Sequence, residues 1–403
     1  MGQIDTDNNG VSGIEKSFDY ELTTSNKPLK LSLDTEMQYL IREELLKFQE
    51  IFNSYGSTAI LMNVNSGEII SMVSIPDFDL NKREDISDKK FINRSTKGVY
   101  ELGSVFKTFT LAAGLQQNVI QEDTLFKNLP KKIKCAGRSI SEYDMDIPSS
   151  LTAEEILIRS GNIGSIKIAQ KVGLENFKDF LENLDLLNKI QFDIEEVGNP
   201  IPFKWGKCKL ATSAYGHGIT TTPLQLAKAY AIIANGGYKI KPTLIKKEKN
   251  LKRGEQIITQ ENSNKINEIL RKIVTSEQGT ANLANIAGYE IAGKTGTAQK
   301  SIKGKYSKKK INTFASIFPI SSPKYVLIVL LDEPKLSETY TYEYNDGKKR
   351  KIIGTPFNTA GWTSVEVAKN IIEKIGPILA LSLIHISEPT RPLYISYAVF
   401  CLK

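Results

Sequence analysis

The chain has 403 residues, 40% hydrophobic and 24% charged, with a formal net charge of +8; that length supports one large domain or two ordinary ones around a sizeable core, with the composition of ordinary globular proteins. Two histidines, His217 and His385, and three cysteines, Cys135, Cys208 and Cys401, are too few and too scattered for a catalytic transition metal, a zinc finger or a disulfide framework. The same count nearly excludes a Ser–His–Asp hydrolase, and lysine-rich stretches without interleaved aromatics argue against nucleic acid as the partner of the positive charge.

In chain order, residues 1–28 are polar, with turn signals at Asn8-Asn9-Gly10 and Ser12-Gly13, and are expected to be a linker or the remnant of a preceding domain. Leu31 to about Phe52 reads as a helix, N-capped by Asp34, with Met37, Leu40, Ile41, Leu45 and Phe48 as its apolar stripe. Ala59 to Ser74 reads as a β-hairpin around Asn65-Ser66-Gly67. A helical region follows Ser104, and a mostly helical middle runs from about 152 to 235, with Thr222-Pro223 as N-cap and first residue of one helix. Strands return near Ile291–Gln299, Asn312–Pro319 and Tyr325–Asp332, and a last amphipathic helix spans about Thr363–Ile375. The pattern predicts one α/β or α+β domain over residues 29–380. The six lysines between Lys300 and Lys310 are expected to occupy a solvated hairpin loop. Gly376-Pro377 is expected to end the last helix, and residues 381–403 to form a non-native or disordered tail in which His385 has no role. No stretch reaches the roughly 20 apolar residues that span a bilayer, and no signal peptide precedes the fold, so this chain is expected to lack its parent's anchor.

Three short motifs carry chemistry. Ser104-Val105-Phe106-Lys107 follows Gly103 and opens an apolar helix, so the three-residue step puts Lys107 on the face of Ser104. The helix start adds positive potential where an oxyanion forms. The other S-x-x-K matches, at Ser87, Ser307 and Ser321, sit in charged loops or a turn. Lysine is a base only when neutral, so Lys107 must lie well below its ordinary pKa of about 10.4, through burial or a neighbouring cation. Ser160-Gly161-Asn162 is the second motif; alone it is equally a polar turn between helices. Lys294-Thr295-Gly296-Thr297, after Gly293, is the third and lies on a predicted strand. There Gly293 and Gly296 would let a substrate lie along the backbone, with the Thr295 and Thr297 hydroxyls on a carboxylate. The order S-x-x-K, S-x-N, K-T-G is the signature of serine β-lactamases and penicillin-binding proteins.

From about Gly10 to Pro377 the chain resembles the class B, monofunctional penicillin-binding proteins. Gly10-Val11-Ser12-Gly13-Ile14-Glu15, Asn93-Arg94, Gly98-Val99-Tyr100-Glu101-Leu102-Gly103 and Tyr215-Gly216-His217-Gly218 carry that resemblance beyond the motifs. Ile14-Glu15-Lys16-Ser17-Phe18-Asp19 looks like the septal division type. The resemblance implies a five-stranded antiparallel sheet flanked by helices with an all-helical subdomain. It implies a D,D-transpeptidase in which Ser104 attacks D-alanyl-D-alanine, Lys107 is the base and Ser160 relays the proton. Asn162 would bind the peptide and Lys107, while Lys294 lowers the Lys107 pKa. Thr295, Gly296 and Thr297 would bind substrate, and the N–H groups of Ser104 and Thr297 would form the oxyanion hole. It requires no metal or cofactor, treats His217 as structural, and implies β-lactams as ligands. Stem peptides, a polytopic glycosyltransferase and division proteins are the implied partners, on the outer face of the cytoplasmic membrane. The rival readings are a serine β-lactamase, a β-lactam sensor and an inactive scaffold. Gly161 in place of the aspartate of S-D-N, and the absence of an assignable deacylating glutamate, argue against the first.

Overall fold

The computed structural model describes residues 2–79, 89–135, 137–247, 253–302, 305–345 and 349–387. Five strands form the central sheet: β1 (Gly56–Asn63), β2 (Ile69–Ile75), β3 (Ala292–Ile302), β4 (Lys305–Phe318) and β5 (Tyr325–Asp332). Their order is β2-β1-β5-β4-β3, and every neighbouring pair is antiparallel, as expected. β5 is buried along its whole length, so both faces of the sheet are covered. Helix α1 (Thr35–Ile51) packs against β2 and against the C-terminal helix, whereas α5 (Pro223–Ala234) packs against β1, β4 and β5.

Between β2 and β3 in the chain come α2 (Lys107–Gln116), α3 (Ala153–Ile158), α4 (Asn162–Val172), α5 and α6 (Gln260–Thr275). Helix α2 runs through the middle of this helical side and is buried from Lys107 to Leu115. The helix starts follow the sequence signals. Asp34 accepts from the Glu36 and Met37 amides, and Thr222 forms a reciprocal cap with Gln225 ahead of Pro223.

Three expectations are corrected. The lysine-rich run is strand, not loop: β3 continues to Ile302 and β4 begins at Lys305. Lys300 pairs with Asp332 at 2.7 Å and Glu333 at 2.8 Å, and Lys309 pairs with Glu333 at 2.7 Å, so acidic partners at the end of β5 hold the charged hairpin in register. The last helix, α7 (Ser364–Ser387), passes through Pro377. The carbonyl that Pro377 leaves without its helical donor belongs to exposed Glu373, so the break falls on the solvent side, while Ile375 and Leu379 anchor the inner face. Cys135 and Cys208 form a disulfide across a sequence separation of 73. Residues 388–403, including Cys401, lie outside the described residues. Near the N-terminus, Ile14 is buried, the Gly13 amide donates to Glu196 Oε1 at 2.9 Å, and Lys16 pairs with Glu195 at 2.8 Å. No helix among the described residues is long and apolar enough to cross a membrane.

Candidate active site

Ser104 lies in a 3-10 turn, Gly103–Phe106, that leads directly into α2. Three glycines permit the close packing of that turn, two of them against β3 and the third, Gly216, from another part of the chain. Gly103 has a φ of +62°, and a Cβ there would lie 2.9 Å from the Thr297 carbonyl oxygen. A Cβ on Gly296 would lie 2.2 Å from the Leu102 oxygen, and one on Gly216 would lie 1.9 Å from the Gly103 oxygen. The space beside Gly296 is therefore filled by the turn that carries Ser104, and that beside Gly293 by Phe314 and the Ala315 carbonyl. Both glycines therefore serve close packing on the faces of β3, which is the last strand of the sheet and has no neighbouring strand on its outer edge.

Lys107 and Lys294 are both buried and converge on Ser160. Lys107 Nζ donates to the Ser160 carbonyl oxygen and, at 3.1 Å, to Ser160 Oγ; Lys294 Nζ donates to the same Oγ at 2.9 Å and to the Thr295 carbonyl at 3.2 Å. With its lone pairs engaged by two lysine amino groups, the Ser160 hydroxyl keeps its own proton free to donate. Lys107 does not hydrogen-bond to Ser104 among the described residues; its ammonium is drawn to Ser160. Burial pulls the Lys107 pKa down to about 7, against the opposing pull of the Glu142 carboxylate. Burial lowers Lys294 well below its ordinary value, and repulsion from Lys107 lowers it further. Burial, rather than the charge of Lys294, is thus the leading cause of the lowered Lys107 pKa.

The corner that presents Ser160 ends α3 in a Schellman turn. The Gly161 amide donates to the Ile156 oxygen at 2.8 Å and the Ser160 amide to the Leu157 oxygen at 3.1 Å, with Ser160 at φ +57°. Asn162 then opens α4. Its Nδ2 donates to the Ser141 carbonyl at 2.9 Å, not to a lysine, and its backbone N–H donates to Glu142 Oε2 at 2.6 Å. Ser141 ends, and Glu142 directly follows, a two-stranded hairpin, Lys132–Cys135 with Arg138–Ser141, which forms one wall of the cleft. The disulfide ties this hairpin to helix Lys207–Ser213, which leads into Tyr215 and Gly216 on the cleft's border.

The family described as the penicillin binding protein transpeptidase domain matches residues 57–357. The chain belongs to that family. It is 31% identical over 396 residues to a probable peptidoglycan D,D-transpeptidase FtsI of Caulobacter vibrioides, covering 94% of this chain and 64% of the relative. To the peptidoglycan D,D-transpeptidase FtsI of Escherichia coli it is 29% identical, over 84% of this chain and 62% of the relative. The chain thus spans less than two thirds of the length of either. Among solved structures, the transpeptidase domain of Burkholderia pseudomallei penicillin-binding protein 3 superposes with a TM-score of 0.74 at 25% identity, covering 90% of this chain and 98% of the other.

In this transpeptidase domain, all three motifs line one cleft of about 1010 Å³: Ser104 and Lys107, Ser160 and Asn162, Thr295 and Thr297. The Thr295 hydroxyl pairs with that of Thr280 at 2.7 Å, and Thr297 Oγ1 accepts the Ala360 N–H at 2.9 Å, leaving its own proton free for a ligand. His217 is on the border of the same cleft, stacked on Tyr306 at 4.5 Å and on Tyr215 at 5.8 Å, with Nδ1 3.7 Å from Glu101. Ser307 donates to the Lys300 carbonyl on the distal hairpin, and the Ser321 amide binds Glu290 in a turn. Ser87 lies outside the described residues. Glu142 and the disulfide escaped sequence reasoning, since neither sits in a motif or a recognisable spacing.

Proposed function

We propose that this chain is the catalytic domain of a septal-type peptidoglycan D,D-transpeptidase and that residues 29–380 form its working unit. The convergence of Lys107 and Lys294 on Ser160 Oγ, beside a serine at a helix start, carries the reading. Ser104 Oγ attacks the carbonyl carbon of the penultimate D-alanine, and its proton passes to neutral Lys107. The backbone N–H groups of Ser104 and Thr297 hold the oxyanion, and Thr295 and Thr297 hold the terminal carboxylate. Lys107 returns the proton through Ser160 to the departing D-alanine nitrogen as the C–N bond breaks. An amine from a neighbouring stem peptide then attacks the ester and regenerates Ser104. Asn162 borders the peptide from the opposite wall. Placement outside the cytoplasm agrees with the disulfide. A polytopic glycosyltransferase and other division proteins are the partners that the family resemblance implies.

The test is intact mass of the purified chain incubated with a β-lactam over hours. The expected result is a persistent one-to-one adduct, lost in Ser104→Ala and kept in Ser307→Ala and Ser87→Ala. Rapid drug turnover would instead make the chain a β-lactamase. Against that rival, both oxygens of Glu142, a buried glutamate on the cleft wall, are engaged by backbone N–H groups, at 2.6 and 2.8 Å, rather than held ready for water.

A further inference from the structure

Glu142 is 7% exposed at the point where the outer hairpin meets the cleft. Its carboxylate accepts the Asn162 N–H at 2.6 Å and the Ile163 N–H at 2.8 Å, the first two orphan donors of α4. The N-cap residue, Gly161, has no side chain to serve them. Ser141 next door accepts the Asn162 side-chain amide at 2.9 Å. Two consecutive residues from a different part of the chain thus hold Asn162 by backbone and side chain together, two residues after the hydroxyl that Lys107 and Lys294 share. A carboxylate suits a helix start, and the charge of this one also acts on buried Lys107, which lines the same cleft. The other charged groups bordering this space are Lys294 from β3, Arg159 at the end of α3, Asp144 on the same loop as Glu142, and His217 and Glu277 from other borders of the cleft.

We propose that Glu142 is a positioning residue for acyl transfer: its carboxylate fixes the corner that carries Ser160 and Asn162 against the cleft wall and supplies the counter-charge for buried Lys107. The inference rests on the acyl-transfer reading of the cleft. Losing the charge weakens the ammonium form of Lys107, so the acid limb of the acylation profile moves to lower pH. Losing the tether loosens the corner, so the plateau falls.

The experiment measures the second-order rate of acylation by a fluorescent penicillin from about pH 5.5 to about pH 9, with thermal midpoints, for the parent chain, Glu142→Gln and Glu142→Asp. Glu142→Gln is expected to lower the plateau about tenfold or more and to shift the acid limb down by about one pH unit. Glu142→Asp keeps the charge but not the reach, so its plateau falls while its limb stays with the parent; it carries the comparison alone if the glutamine variant does not fold. A glutamine plateau within about twofold of the parent, or a lower thermal midpoint with an unmoved limb, would overturn the proposal and leave Glu142 a helix cap. An aspartate plateau equal to the parent's would overturn it too. A parent chain that forms no adduct would refute the acyl-transfer reading itself, and this inference with it.

Discussion

Breaking the Cys135–Cys208 bond tests how the cleft wall is held. The bond closes a loop with a sequence separation of 73, and that loop contains Glu142, Ser160 and Asn162. For such a loop the chain-entropy relation gives about 15 cal/mol/K removed from the unfolded ensemble, or about 4.4 kcal/mol at room temperature. Residual structure in the unfolded chain reduces this, so the expected loss on removing the bond is about 2–4 kcal/mol. Both cysteines are partly exposed, so a reductant reaches them. The measurement is guanidinium unfolding followed by the fluorescence of Trp205 and Trp362, for the oxidised chain, the reduced chain and the Cys135→Ser/Cys208→Ser double variant. Reduced and double-serine chains should unfold alike, both earlier than the oxidised one, and the double variant should ignore the reductant. A shift below about 0.5 kcal/mol would refute the reasoning, because the hairpin would then be fixed by its other contacts alone.

Two further outcomes are expected. Lys107, lowered to about 7 by burial, acts as a base only after losing its proton, so acylation should rise about tenfold from about pH 6 to about pH 8; a flat or falling rate measured over that range would remove Lys107 as the base. Gly56→Ala puts a Cβ 2.1 Å from Nε of Arg94, which is fully buried, so thermal unfolding should show a loss of about 1–3 kcal/mol, with the folded fraction still labelled by penicillin.

The three motifs were legible because chemistry fixes residue type at short spacings. Ser104 and Lys107 share a helix face, and Lys294 to Thr297 share a strand. The direction in which Lys107 points was not legible, because a three-residue step admits Ser104 as readily as a group arriving from another helix. Glu142 was hidden for a related reason: one glutamate in a polar loop shows nothing of the helix start it meets 20 residues later. The disulfide joins segments whose contact is decided by tertiary packing. The lysine-rich hairpin misled because strands are expected to be apolar, whereas an extension beyond the packed sheet faces water and tolerates charge. Pro377 misled because the cost of a proline depends on whether the carbonyl it orphans faces solvent.

Ser160 occupies a backbone conformation that glycine adopts freely and that charges a side chain about 1–2 kcal/mol. Any redesign scored on stability alone will therefore tend to write glycine at this position, and in doing so will delete the oxygen on which both lysines converge. For engineering this scaffold, position 160 is a place where the fold's preference and the requirement of the proposed chemistry point to different amino acids, and a screen that reads covalent labelling is the one that would keep the serine.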